Sequence, residues 1–402
     1  MRYLLCAAAV AILSTAGQAQ AQEDVWSDPM SIRASGRFDE PLLAGLLAAY
    51  ELRDADAVAL LDRYLASDPQ DPEARRTARS TLAIVHLRQG RYGKAAGLLD
   101  AALADFPEGI NDRKGVEQAL SIAVALSGSE PQRRSVLTTG SVPFTPDLAG
   151  LARAPVTING HARDYVFDTG ANLSVVTESQ AADLGLDMLG ETAGVRSITQ
   201  EVAPAHLGIA RTLTIGDLRF ENVVFLVMPD ASLSFANGAY TIPGILGFPI
   251  ISQMERVSVS NGRISWAPSA GPAADRDLFV DGLTPRIYGR IAGGAPEPFA
   301  FDTGSNRTTL RPAALHANPV LAAQAQALTQ SVGSAGGTQE VEGRRLPSVV
   351  LTFDAVATTL TNVSVLDEAG GGDEIHGRVG QDVLARGYVV DFPAGDFALS
   401  SD

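Results

Sequence analysis

Two copies of the tripeptide Asp-Thr-Gly, at 168–170 and 302–304, lie 134 residues apart in closely matched surroundings. The first reads YVFDTGANLSVVT over residues 165–177, the second FAFDTGSNRTTL over residues 299–310. In each, an aromatic-rich apolar run enters a short polar turn and a second strand-like run leaves it. The correspondence extends downstream. Asp168 is followed after 79 positions by the glycine of Ile245-Leu246-Gly247, and Asp302 after 78 positions by that of Val379-Gly380. Between these landmarks, ENVVFLV (221–227) resembles TNVSVL (361–366), and the halves close on RVSVSNGRISW and GYVVDFPAGDFAL. One order of features at one spacing is a duplicated lobe, so this part of the chain must fold twice in the same way. A lone Asp-Thr-Gly would be weak evidence, because residue frequencies give on the order of one in ten chains of this size. Taken singly, each could also be a β-turn capped by Asp and Thr, with Gly supplying positive φ.

The 402 residues suffice for two or three domains. A hydrophobic content of 46% with 19% charged residues is that of a globular protein with real cores. The net charge of -15 argues against nucleic acid and anionic membrane surfaces as partners, since both require a cationic face. The N-terminus, MRYLLCAAAVAILSTAGQAQAQED, has Arg2, an apolar run to about Ala16 and the small-x-small pattern Ala19-Gln20-Ala21. The run falls short of the roughly 20 residues that span a bilayer. Residues 1–21 therefore read as a cleaved secretory signal, with an uncleaved anchor as the lesser alternative. Cys6 would leave with that segment, so neither disulfides nor a thiol nucleophile would serve the mature chain. An Ala-rich signal and a mature chain without cysteine predict a bacterial periplasmic or secreted protein with no membrane span after cleavage.

Residues 41–126 carry helical spacing: Leu42, Leu43, Leu46 and Leu47 recur on one face, as do Val58, Leu61 and Leu65. The stretch 86–107 echoes 51–69 at an offset of 35 to 38 residues, in the range of helix-turn-helix repeats. Gly90, Tyr92, Ala96, Ala102 and Pro107 stand where a tetratricopeptide repeat places its small, aromatic and terminating residues. The match is degenerate, and an ordinary helical bundle is the competing reading. From about 127 the texture becomes Gly/Pro/Ser/Thr-rich, and after Ala154 short Val/Ile/Leu/Phe runs separated by Gly, Asn and Asp predict strands. The expected organisation is a multi-domain chain. A helical, repeat-like region (22–135) leads by a linker (136–150) to one all-β lobe (151–268), then by a second linker (269–278) to another (279–402).

This pattern resembles the aspartic proteases of the pepsin and retropepsin clan over residues 154–402, about 60% of the chain. The resemblance implies two small β-barrels, each carrying its Asp-Thr-Gly on a loop threaded by the downstream apolar-Gly strand. Lobes of about 120 residues imply a fused retropepsin-like pair. It puts Asp168 and Asp302 together as catalytic residues sharing one water, with no cofactor and no metal. Thr169 and Thr303 would bond across the axis to the opposite backbone. Gly170 and Gly304 would bring backbone N–H groups to the carboxylates. Ser305 would donate to the outer oxygen of Asp302, which Ala171 cannot do for Asp168, making Asp302 the more readily ionised. Flaps are expected at residues 188–204 and 331–345; neither contains a tyrosine.

The chemistry is the reason for the pairing: two carboxyls a few ångströms apart cannot both ionise, so one acts as base on water and the other as acid toward the carbonyl. His86, His161, His206, His316 and His376 are scattered singly without metal-ligand spacing. No nucleophile elbow or phosphate loop is present. Asn172 and Asn306 head glycosylation sequons in form only, as both abut the turns. The expected activity is that of an exported aspartic endopeptidase acting on polypeptides, the helical region recruiting a protein partner or acting as a regulatory or pro-segment. The alternative is a catalytically inactive peptide-binding module using the same cleft, and a variant of the first pairs lobes between chains.

Overall fold

The computed structural model describes residues 4–5, 28–106, 113–191, 195–196, 202–203, 205–273, 275–334, 337–366 and 375–400. Pro107 and, apart from the backbone at 4–5, the proposed signal segment lie outside the described residues.

Proline and aspartate set the starts of the N-terminal helices. Asp28 accepts from the backbone of Met30 and Ser31 ahead of α1 (Pro29–Ser35), and Asp71 caps α4 (Pro72–Arg88) in the same way. Between them lie α2 (Pro41–Tyr50) and α3 (Asp54–Ala66); α5 (Tyr92–Leu103) and α6 (Arg113–Leu126) follow. Each helix packs on the next in sequence. Gly90 takes a left-handed φ of 67° between α4 and α5, and Pro131 is packed against it. No described helix is long and apolar enough to cross a membrane. The leucine stripe of α2 is buried against Phe279 and Tyr288 of the second lobe, whose rings meet edge-on at 5.7 Å. Tyr92, Leu99, Val116 and Ile122 of α5 and α6 join the core that holds the first lobe. The helices are thus a layer laid across both lobes rather than an appended module.

The strands are β1 (Gly140–Pro143), β2 (Ala152–Ile158), β3 (His161–Phe167), β4 (Ser174–Thr177), β5 (Asp187–Glu191), β6 (His206–Ile215), β7 (Leu218–Met228), β8 (Gly244–Leu246), β9 (Arg256–Ser260) and β10 (Arg263–Ala267). They continue as β11 (Leu278–Asp281), β12 (Thr284–Ile291), β13 (Pro296–Phe301), β14 (Thr309–Leu310), β15 (Gln326–Ser334), β16 (Gly337–Phe353), β17 (Val356–Leu366), β18 (Gly377–Val379), β19 (Tyr388–Asp391) and β20 (Asp396–Leu399).

The first lobe is a barrel in the order β7-β4-β8-β3-β2-β6, closed by β6 on β7. The second runs β17-β14-β18-β13-β12-β16, closed by β16 on β17. Every strand of the second bears a number ten higher than its counterpart in the first. The direction of pairing repeats as well: β8 is parallel to β3 and antiparallel to β4, as β18 is to β13 and β14. The duplication read from sequence is therefore a duplication of topology.

The lobes are fastened by a sheet in the order β20-β19-β9-β10-β1. Its central joint is antiparallel, with Val257 opposite Val390, one strand from each lobe. Phe248 meets Phe392 edge-on at 5.4 Å beside it. Both expected linkers contribute to this join. Residues 140–143 form the edge strand β1 on β10. Ser269 donates its hydroxyl to Asp391 at 2.5 Å, and the N–H of Ala270 reaches the same carboxylate at 3.0 Å.

Candidate active site

Each Asp-Thr-Gly turn is shaped by the strand that threads it. The N–H of Asp168, just past β3, bonds to Leu246 O at 3.0 Å; the N–H of Asp302, just past β13, bonds to Val379 O at 3.2 Å. The threading chain then passes through the loop beyond the turn at Gly247 and Gly380. A Cβ on Gly247 would lie 2.5 Å from the backbone carbon of Leu173, and one on Gly380 2.6 Å from that of Arg307. No side chain fits either place. The hydroxyls of Ser174 and Thr308 each accept the N–H of their glycine at 3.1 Å. These are equivalent positions filled by equivalent chemistry.

The two turns meet tip to tip. The hydroxyl of Thr169 donates to Phe301 O and that of Thr303 to Phe167 O, both at 2.7 Å. Each also accepts the other threonine's N–H, at 3.1 and 3.0 Å. Two side chains thereby satisfy four buried backbone groups, each of which would cost roughly 1–3 kcal/mol if left without a partner. Gly170 and Gly304 allow the contact to close. A Cβ on Gly170 would stand 2.5 Å from the carboxyl carbon of Asp302, and one on Gly304 2.2 Å from that of Asp168. Each turn's backbone lies against the other's acid. The N–H of Gly170 donates to Asp168 Oδ1 at 2.8 Å and that of Gly304 to Asp302 Oδ1 at 2.9 Å.

Asp168 and Asp302 are both fully buried. Burial drives the Asp168 carboxyl well above the usual carboxylate range, the Asp302 charge and a hydrogen bond with it push the same way, and the Gly170 N–H and the more remote Arg378 oppose this.

The Ser305 hydroxyl donates to Arg307 O at 2.8 Å. A cation at Asp302 was not foreseen: Nη1 of Arg378 donates to Oδ2 of the carboxylate. The sequence did carry a signal for it: the second half reads Arg378-Val379-Gly380 where the first reads Ile245-Leu246-Gly247. Gln381 was also unforeseen; its amide donates to Thr303 O at 2.7 Å and steadies that turn from behind. Its counterpart by position is Phe248, whose N–H makes the same backbone bond to Ala171 O that Gln381's makes to Ser305 O.

Of the expected flaps, residues 188–204 lie for the most part outside the described residues. The other is a hairpin of β15 and β16, paired from Gln326 with Arg345 to Ser334 with Gly337. The long strand β16 reaches the Asp230–Leu233 turn of the first lobe and so crosses between lobes.

Two fully buried carboxyl groups meet on matched turns, the arrangement that acid–base chemistry by a pair of acids requires. In agreement, residues 154–250, which include the first turn and its threading strand, match the family model described as aspartyl protease. No curated protein matches the chain. Among solved structures, the chain is similar to a retropepsin-like aspartic protease from Rickettsia conorii at 17% identity and a TM-score of 0.24, over 33% of this chain and 94% of that one.

Proposed function

We propose that the chain is an exported aspartic endopeptidase, in which a water between Asp168 and Asp302 is activated to hydrolyse peptide bonds. The observation that carries this reading is the interlock of the two turns: each glycine is packed on the opposite acid, and each threonine bonds to the opposite backbone.

The chemistry follows from unequal protonation. The ionised carboxylate takes a proton from water as its oxygen attacks the peptide carbonyl. The protonated carboxyl of Asp168 donates to the carbonyl oxygen, where negative charge develops. Collapse of the tetrahedral diol returns a proton to the leaving amine and restores the starting pair. Each positioned acid or base of this kind contributes roughly 10²–10⁴-fold. Because both carboxyls are buried, substrate entry requires part of the chain over them to move. Export to a bacterial periplasm or beyond belongs to the same proposal and rests on the N-terminal sequence. Partner recruitment by the outward side of the helical layer rests on its helical spacing.

The test is cleavage of labelled casein by the full chain, with and without a statine-containing peptide. Statine-sensitive cleavage that is lost in both Asp168→Asn and Asp302→Asn is expected, and a mixture of the two variants should stay inactive because the dyad lies within one chain. Recovery in the mixture would move the pairing between chains. Casein binding without cleavage at any pH from acid to neutral would favour the inactive peptide-binding module instead.

A further inference from the structure

We infer that Arg378 is a positioning residue that assigns the proton of the dyad, holding Asp302 as the base and leaving Asp168 as the acid. This rests on the protease reading above and deepens it. The duplicated fold supplies its own control. Arg378 pairs with Ala300 on β13 as Ile245 pairs with Val166 on β3, so the two residues occupy one position in the two barrels. In the first barrel that position is a fully buried isoleucine. In the second it is a guanidinium, its side chain only 13% exposed, donating to a carboxylate that is itself fully buried.

Count the donors on each acid. Asp302 receives the Gly304 N–H on Oδ1 and the Arg378 cation on Oδ2. Asp168 receives the matching Gly170 N–H on Oδ1, and the strand threading its turn offers it only Ile245 and Leu246. Moving the proton from Asp168 to Asp302 would leave a largely desolvated guanidinium beside a neutral acid and a buried carboxylate with no cation in contact. Both steps are costly in a low-dielectric interior.

The remaining groups around the pair are otherwise engaged. On the helix after β18, Asp382 is taken by the N–H and hydroxyl of Thr308, and the amide of Gln381 by Thr303 O. On the turn beyond Asp302, the Ser305 hydroxyl donates to the backbone carbonyl of Arg307, whose guanidinium is the other charge on that turn and, among the described residues, bonds to neither acid. In a symmetric dyad either acid could hold the proton; here the second barrel carries the cation that decides.

The sign of the pH effect follows. A cation beside the pair eases both deprotonations, the first more, because contact is with Asp302 and only remote with Asp168. Removing it raises both limbs of the activity profile, and the acid limb further. The experiment is kcat/KM against pH on labelled casein for full-length wild type, Arg378→Ile (the residue of the first barrel) and Arg378→Lys. For Arg378→Ile the acid limb should rise by about one pH unit or more. The alkaline limb should follow by less, kcat should fall with KM little changed, and Arg378→Lys should return the acid limb toward wild type. An acid limb in Arg378→Ile that coincides with wild type, or a lysine variant no different from the isoleucine one, overturns the inference while leaving the protease reading intact. Absence of wild-type cleavage would instead sink that reading. If Arg378→Ile does not fold, carboxyl NMR of the wild type decides: the low-pH step should report Asp302 and the high-pH step Asp168, and the reverse order contradicts the assignment.

Discussion

The two barrels agree in fold and disagree in charge. Strand order, pairing direction, threaded glycine, hydroxyl on that glycine and cross-bonded threonine all recur. Buried charge does not. Among the described residues, Asp168 is the one buried charged side chain of the first lobe, whereas the second buries Asp281, Arg286, Asp302, Arg311 and Asp391. A duplicated scaffold brings two identical acids together, but identical acids have no reason to divide the work. The difference between the halves, focused at Arg378 against Ile245, is what separates their roles.

The most severe way to break this comparison is at the acids. Asp168→Asn and Asp302→Asn should each lower kcat by about 10²–10⁴-fold or more, since acid and base are both needed in each turnover. A variant keeping near-wild-type rates would show that its half carries no chemistry. Next come the glycines. Alanine at Gly170 or Gly304 places a methyl against the opposite carboxyl, and a misplacement on the order of 1 Å can cost about 10²-fold in rate. Both variants should lose activity, Gly304→Ala the more because its clash is closer; thermal melts would show the accompanying destabilisation.

The threonines test symmetry itself. Thr169→Val and Thr303→Val each leave two buried backbone groups without a partner, so each should destabilise by about 2–6 kcal/mol. The two losses, read by denaturant titration, should agree closely. A marked inequality would mean that the turns share load less evenly than their distances indicate.

The smallest effect concerns buried charge away from the dyad. Asp277, at the entrance to the second barrel, accepts the Phe397 N–H at 2.9 Å. Its carboxyl is pushed up to about 7, chiefly by burial. Its folded-state value lies above the unfolded value of about 3.9, so its contribution is fully present below about pH 4 and is lost as pH rises to about 7. Asp277→Asn should raise the melting temperature at neutral pH and leave it nearly unchanged at acid pH. An equal shift at both would tie the effect to packing rather than ionisation.

Much of this was legible in the sequence because the site is made of backbone geometry. Asp168, Gly170, Gly247 and their partners sit where only those residue types fit, and such positions leave a spaced signature. Side-chain direction leaves none. Nothing in EIHGRVG says which way Arg378 points until β18 is known to run parallel to β13 with that position facing the dyad. The bond from the Ser305 hydroxyl to the carbonyl of Arg307 was equally invisible, because it depends on how the turn folds back. The join between lobes was hidden differently. Residues 140–143 read as linker because, of that four-residue strand, Val142 alone is buried and no alternation shows. The helices were placed by their leucine spacing, but that spacing could not say that the face of α2 is spent on Phe279 and Tyr288.

The most direct measurement is a crystal structure of the full chain with a statine-containing peptide. The statine hydroxyl, which mimics the attacked carbonyl, should lie within hydrogen-bonding distance of both Asp168 and Asp302, with the peptide beneath the β15–β16 hairpin. A peptide bound with its hydroxyl away from either carboxyl would contradict the shared-water dyad.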